Sequence, residues 1–340
     1  MITCVRLMLL LFSLLLPLPL WAAGGKILAA DLVEDGQQIN LTSERYVGIL
    51  KELQTRYHFS REELDRLFAG VAIQKRVLEL MDTQAEAKPY YDYFPRFITD
   101  EVVREGREKI KQYREVLDKI EAQMGVEKEI VVAIWGIETR YGKYKGGFNM
   151  FRTLNTMFDA YPRRRNFYRQ QLIEFLLLCR DNKIDPLSVT GSYGGAFGQT
   201  QFIPSSFREY AVDFDGDGRR DVWNSVPDIL ASIANYLRRY AWVYQAPIYG
   251  ELGNHLNEES LLAAARQGLQ TLLPLKKVKD VQKVDLKPSP GDKGVVVVEL
   301  ELDDHGGMRY VAGYPNFQAI TKWNNSKRYA MAVTELAARY

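Results

Sequence analysis

Ile130-Val131-Val132-Ala133-Ile134-Trp135-Gly136-Ile137-Glu138-Thr139-Arg140-Tyr141-Gly142 is the stretch on which the fold turns. From Ile130 to Ile137 no side chain is charged. A helix without a polar face is enclosed by other elements, so a helix starting near Glu127 is expected at the centre of a core. Gly142 is the expected terminator. Glu138 then falls in the last turns, leaning back over Ile134 and Trp135. Desolvation there favours the neutral acid, and the negative end of the helix dipole works in the same direction. A carboxylic acid held protonated near neutral pH is what general-acid cleavage of a glycosidic bond requires. A second reading stands beside this one: a glutamate at the rim of a buried helix, satisfied by Arg140 or by water.

Upstream, Ser60 and Glu63 have capping-box spacing, with Phe59 and Leu64 placed to staple a helix that starts near Arg61. Val103, Gly106, Ile110, Tyr113, Leu117, Ile120 and Met124 form one apolar stripe, which predicts a single long helix ending at Gly125. Downstream, helices are expected at about 165–180 and 226–240. Between Leu275 and Gly313 the pattern changes to period two. Val295 to Leu302 and Met308 to Val311 flank Asp304-His305-Gly306-Gly307, the signature of a hairpin in a small sheet domain. Helix returns from Lys327 to Arg339. The fold class is therefore mainly α (α+β).

Two loops carry further chemistry. The segment from Gly191 to Ser206 has no lysine after its glycines, which argues against a phosphate loop. It reads either as a plain loop leading to a helix capped by Ser205 or Ser206, or as a bare backbone that a flat ligand approaches, with Ser192 and Gln201 as hydrogen-bonding groups. Asp213-Phe214-Asp215-Gly216-Asp217-Gly218-Arg219-Arg220-Asp221 has the oxygen spacing of an EF-hand calcium loop, with Asp213, Asp215, Asp217 and the Arg219 carbonyl as ligands. Asn224 stands where the bidentate glutamate belongs. Asp228 is the candidate replacement and Asp221 the fallback, and a solvated acidic turn is the other reading. With no second such loop, one structural Ca²⁺ is expected.

Composition narrows the function. A net charge of +2 over 340 residues is too balanced for a nucleic-acid binder, and the 46% hydrophobic and 26% charged shares exclude a disordered chain. Met1 to Gly25 reads as a secretory signal, with Arg6, an apolar run to Trp21 and small residues after it. Cys4 precedes that run, so no lipid anchor is indicated. Cys179, alone after the signal, is expected to be an inert buried thiol. His58, His255 and His305 have no spacing that suggests a catalytic pair or a zinc site. Twenty tyrosines are the unusual number.

Gly136 to Gly142, Tyr161-Pro162-Arg163-Arg164, Gly191 to Gly198, Gln201 to Ser206, the calcium loop, Ala234-Asn235-Tyr236-Leu237, Tyr314-Pro315-Asn316-Phe317 and Trp323-Asn324 together resemble the membrane-bound lytic murein transglycosylase B family, from about Tyr91 to Tyr340. The resemblance implies a lysozyme-like helical core with an N-terminal helical domain and a small inserted β domain. The corresponding partition is 1–24 signal peptide, 25–125 helical domain, 126–245 catalytic core, 246–313 β domain and 314–340 return to the core. It implies cleavage of the β-1,4 bond between N-acetylmuramic acid and N-acetylglucosamine in peptidoglycan without water, by Glu138 as sole acid and base. Tyr93, Ser192, Gln201, Tyr236, Asn324 and Tyr329 are then the residues lining the sugar cleft. Trp323 departs from the pattern, standing where tyrosine is expected. A soluble periplasmic monomer acting on glycan strands is implied, with penicillin-binding or other wall-synthesis proteins as partners. A hydrolytic muramidase and a non-catalytic, calcium-dependent wall-binding protein are the alternatives.

Overall fold

The computed structural model describes residues 28–83 and 88–340. The predicted signal segment lies outside the described residues.

The helix Lys128–Thr139 is buried at every position from Ile130 to Ile137. The reason is its neighbours: Asp100–Gln112, Arg114–Met124, Val226–Arg239 and Lys327–Ala337 all pack against it. With helices on every side, an apolar residue is favoured at each turn position and the usual amphipathic stripe disappears.

The long helix expected from Val103 to Met124 is two helices, Asp100–Gln112 and Arg114–Met124, broken at Tyr113 (φ −108°, ψ 23°). A one-residue break keeps Val102 and Gly106 of the first segment and Leu117 and Ile120 of the second buried. The spacing therefore reads as continuous although the backbone is not. The break brings the Tyr113 ring edge-on to Trp135, 6.1 Å between centroids.

Near the N-terminus the capping box forms as expected. Glu63 N–H donates to Ser60 Oγ (3.1 Å), and Ser60 N–H donates to Glu63 Oε2 (2.7 Å). Tyr46 joins this layer to the helix Met150–Ala160, its hydroxyl donating to Asn155 Oδ1 at 3.0 Å. The helix Arg165–Asp181 packs beside Met150–Ala160. Cys179 lies inside it, fully buried.

Two short strands, β1 (Phe148–Asn149) and β2 (Thr190–Gly191), pair antiparallel at the entrance to the glycine-rich loop. A larger antiparallel sheet has the order β3-β6-β5-β4, from β3 (Tyr249–Gly253), β4 (Leu272–Leu273), β5 (Val295–Glu301) and β6 (Met308–Gly313). The predicted β5–β6 hairpin forms, with Glu301 opposite Met308. Alternation then explains its composition. Val296, Val298 and Leu300 face the main core, while Val295 and Val297 join a second apolar cluster with Leu261, Val278 and Leu286. The segment between Leu275 and Gly313 is thus not all strand. The helices Glu259–Gln267 and Leu275–Gln282 contribute to this second cluster, which is why β5 is apolar on both faces.

After β6 the chain returns to the main core. Asn316 is fully buried and locks the return, accepting from Val243 N–H (2.9 Å) and donating to Val243 C=O (2.8 Å). The helices Pro315–Trp323 and Lys327–Ala337 follow. Gly106 leaves room for the final aromatic ring, because a Cβ there would lie 2.2 Å from the Tyr340 ring. Gly106→Ala is expected to lower stability by about 1–3 kcal/mol through overpacking. In a Tyr340→Ala background the same change should cost almost nothing, a coupling that paired denaturation curves would measure.

Candidate active site

The site begins where the central helix ends. That end is made by Arg140 and Tyr141, both left-handed at φ 51° and 56°, and not by Gly142 alone. Neither side chain favours this conformation, so contacts elsewhere hold it. The Tyr141 hydroxyl donates to Val102 C=O at 2.8 Å, and the Arg140 guanidinium donates to Arg96 C=O. Thr139 Oγ1 accepts from Gly142 N–H at 3.0 Å. Gly142 itself (φ +89°) is required for closeness, since a Cβ would stand 2.2 Å from Gln199 Oε1. With Arg140 turned to the Arg96 carbonyl, it is not the partner of Glu138.

The partners of Glu138 come from the far end of the chain. Trp323 Nε1–H donates to Glu138 Oε1 at 2.8 Å, and the Tyr329 hydroxyl donates to the same oxygen at 2.6 Å. Loss of solvent around the carboxyl pushes its pKa up to about 7 from 4.5, and the hydrogen bonds from Tyr329 and Trp323 offset only part of that rise. No charged group enters the balance. Glu138 sits deep in the fold yet keeps partial exposure. With Oε1 accepting two donors, the acid proton belongs on Oε2.

The predicted tyrosines gather around this carboxyl, though not as stacking platforms. Tyr329 is almost fully buried. Tyr236 is buried too, its hydroxyl donating to Lys322 C=O at 2.5 Å and its ring edge-on to Trp323 at 4.7 Å. Both rings form the wall that fixes Trp323 and Glu138. Tyr93, half-buried, is the one of the three with accessible ring surface. Burial and then the Glu138 charge push its hydroxyl up to about 12.

Ser192 and Gln201 lie on the adjoining glycine-rich loop. Ser192 Oγ accepts from Ala196 N–H at 3.1 Å, and Gln201 Nε2 donates to Gly198 C=O at 3.0 Å. The loop reaches the acid's wall through Phe202, which packs on Trp323 at 5.1 Å. Asn324 is exposed beside Trp323. The helix expected after this loop starts with Pro204 at its first position, so neither Ser205 nor Ser206 caps it. The Gln171 side chain from the helix Arg165–Asp181 accepts from Ser205 N–H instead.

Gln199 was not foreseen. Its Oε1 accepts from Trp135 Nε1–H (2.9 Å), its Nε2 donates to Trp223 C=O (2.9 Å), and its carbonyl accepts from Thr139 Oγ1 (3.3 Å). One residue thereby ties the end of the central helix to the segment leaving the acidic loop. Nothing in a lone glutamine announces this.

In that acidic loop the carboxylates of Asp213, Asp215 and Asp217 lie within 4.8 Å of one another. Each also accepts a backbone N–H of the loop, which fixes its direction. These residues fit a hard cation, because three close, exposed carboxylates supply oxygen donors of the kind calcium takes. Asp228 does not join them. Its Oδ1 accepts from Phe214 N–H (2.7 Å) and its Oδ2 from Asp221 N–H (2.9 Å), so this fully buried residue braces the loop from beneath. Asp221 likewise turns inward, capping Trp223 N–H at 2.8 Å and Asn224 N–H at 2.9 Å.

A raised carboxyl pKa means that the fold prefers the neutral form. Its contribution to stability is complete below the ordinary carboxyl range and is lost as pH rises through about 7. Glu138→Gln is therefore expected to raise the melting temperature at about pH 8.5 and to leave it unchanged at about pH 4. Thermal scans across that range check the sign.

Comparison with known proteins adds independent findings. The family model described as "Transglycosylase SLT domain" matches residues 42–338. Membrane-bound lytic murein transglycosylase B of Escherichia coli (strain K12) is 34% identical over 307 residues, covering 84% of this chain and 80% of the relative. The structure of the Escherichia coli lytic transglycosylase Slt35 in complex with calcium superposes with a TM-score of 0.78 at 29% identity, covering 92% of this chain and 98% of that one. SltB3 from Pseudomonas aeruginosa, in complex with NAG-anhNAM-pentapeptide, superposes with a TM-score of 0.72 at 34% identity over 86% of this chain and 78% of that one. No helix among the described residues is long and apolar enough to cross a membrane.

Proposed function

Since this chain belongs to the transglycosylase SLT-domain family of peptidoglycan lytic transglycosylases, we propose that Glu138 cleaves the β-1,4 MurNAc-GlcNAc bond as acid and then as base. The carrying observation is a single carboxyl whose Oε1 accepts two neutral donors and whose pKa is raised to about 7. Hydrolytic glycosidases of the usual kind pair two carboxylates across the bond. Here no second carboxylate enters the titration of Glu138.

In this mechanism the Oε2 proton passes to the glycosidic oxygen as its bond to the muramic C1 breaks. The resulting Glu138 carboxylate removes the proton from the C6 hydroxyl of the same sugar, and O6 closes on C1. The product is a 1,6-anhydro end, and no water is added or lost. One carboxyl suffices because an intramolecular hydroxyl has an effective molarity of roughly 10⁵ M or more. Trp323 and Tyr329 hold Oε1 throughout and stabilise the carboxylate between the two steps. Tyr93, Ser192, Gln201 and Asn324 are proposed to line the glycan cleft. Their position around the loop and wall supports that role.

Asp213, Asp215, Asp217 and the Arg219 carbonyl are proposed to hold Ca²⁺, which would neutralise three crowded carboxylates and take no part in bond cleavage. The secretory reading of Met1 to Gly25 supports a periplasmic place of action. The separate apolar cluster beneath the sheet supports treating 246–313 as an insertion between two parts of one core.

Glu138→Gln is expected to lower kcat by about 10³-fold, within the range for removal of a general acid, and to yield no anhydro product. Mass spectra of digested sacculi decide between mechanisms: hydrated reducing ends as the main product contradict this one. The alkaline limb of the kcat/KM profile should fall near pH 7, where the acid loses its proton. Trp323→Phe removes a donor that favours the carboxylate, so it should move that limb to higher pH. Chelation should lower the melting temperature and added calcium restore it, by mass-action linkage.

A further inference from the structure

Glu301, the last residue of β5, ties two segments of the site to the inserted sheet. Its Oε1 accepts from Arg328 Nη2–H at 2.7 Å, and its Oε2 accepts from Tyr90 N–H at 3.1 Å. Arg328 immediately precedes Tyr329, and Tyr90 opens the short helix Tyr90–Tyr93. One carboxylate therefore joins the segments that carry Tyr93 and Tyr329, although neither segment belongs to the sheet.

The bond to Arg328 answers a local problem. The helix Lys327–Ala337 begins with two consecutive cations, and the positive end of its dipole disfavours both. β5 supplies an anion for each: Lys327 Nζ donates to Glu299 Oε1 at 3.0 Å, and Arg328 donates to Glu301. The Arg328 side chain is 14% exposed, and Glu301 is its one carboxylate partner among the described residues. Its Nε is buried and finds no acceptor there. A largely buried cation left unpaired is strongly unfavourable, so without the Glu301 charge the first turn shifts to hydrate Arg328. Tyr329 is the third residue of that turn. Burial raises the Glu301 pKa, but backbone N–H donors, Tyr90 among them, and the Arg328 guanidinium more than offset this and hold it below the ordinary value. Glu301 is thus a carboxylate throughout the range in which Glu138 titrates. Further along the same helix, Glu335 accepts from the Tyr90 hydroxyl at 3.0 Å and pairs with Arg309 of β6.

We propose that Glu301 is a positioning residue for the acid: through Arg328 it holds the turn that presents the Tyr329 hydroxyl to Glu138 Oε1, which gives the inserted sheet a part in the reaction. This rests on the reading of Glu138 as acid and base.

The test is Glu301→Gln, which keeps an oxygen for Tyr90 N–H and removes the charge facing Arg328. On peptidoglycan kcat should fall about tenfold, the scale of one hydrogen bond to a charged group. The alkaline limb of the kcat/KM profile should move to higher pH. Besides burial, Tyr329 and Trp323 set the Glu138 carboxyl, and the Tyr329 bond lowers its pKa, so loosening that bond raises it. Loss of a negative charge acting through space would move the limb the other way. In a Tyr329→Phe background, where the bond is already gone, Glu301→Gln should leave the limb in place and cost less than about twofold in kcat. Should Glu301→Gln fail to fold, Glu301→Asp keeps the charge on a shorter arm, and it should move the limb in the same direction by less. An unmoved limb, a shift to lower pH, or an equal loss with and without Tyr329 overturns the proposal and leaves the activity intact. Full activity in Glu138→Gln would instead remove the acid on which it rests.

Discussion

Everything at the site depends on one oxygen atom. Glu138 Oε1 accepts from Trp323 and Tyr329, residues 185 and 191 positions further along the chain. A carboxyl placed on an apolar helix loses most of its hydration, and a buried polar group without partners is costly. The donors that meet that need lie on the last two helices. The core therefore closes only when the chain has passed through the sheet and come back. Asn316 locks that return, and the two helices then deliver an indole and a phenol to the same oxygen. A single constraint thus orders the topology, the protonation state and the chemistry.

The abundance of tyrosine follows from the same logic, in a way composition alone does not reveal. Tyr236, Tyr141 and Tyr46 put their rings into apolar contacts and their hydroxyls onto groups of distant segments. Such a side chain contributes apolar area and one directed bond at once. In a protein whose described residues contain one free cysteine, and so no internal disulfide, these long-range bonds do part of the cross-linking. Tyr236 and Tyr329 build the wall behind Glu138, and of the three tyrosines there only Tyr93 keeps accessible surface.

Much of this was legible in the sequence because the deciding signals are local. The all-apolar run to Ile137 identified the central helix, and its context showed that Glu138 would be desolvated. The capping box at Ser60, the hairpin around Asp304 to Gly307 and the helices bearing Tyr236 and Tyr329 also rest on patterns within a few residues. What escaped depended on tertiary partners. Arg140 and Tyr141 end the helix in place of a glycine because Arg96 and Val102 hold them. The break at Tyr113 costs no register in the apolar stripe, so periodicity passed over it. Asp228 looked like a metal ligand by position, but its buried carboxylate is occupied by backbone N–H groups from two parts of the loop. Gln199 has no signature at all, since its importance arises from three partners brought together only by folding.

The central claim is that one carboxyl is kept neutral at the pH where it must give a proton. Selective ¹³C labelling of glutamate, with the Glu138 carbonyl resonance assigned by its loss in Glu138→Gln, lets that carboxyl be titrated directly in the free protein. The account predicts a midpoint of about 7. A midpoint at the ordinary value of 4.5 would contradict it, because Glu138 would then be ionised before the first step.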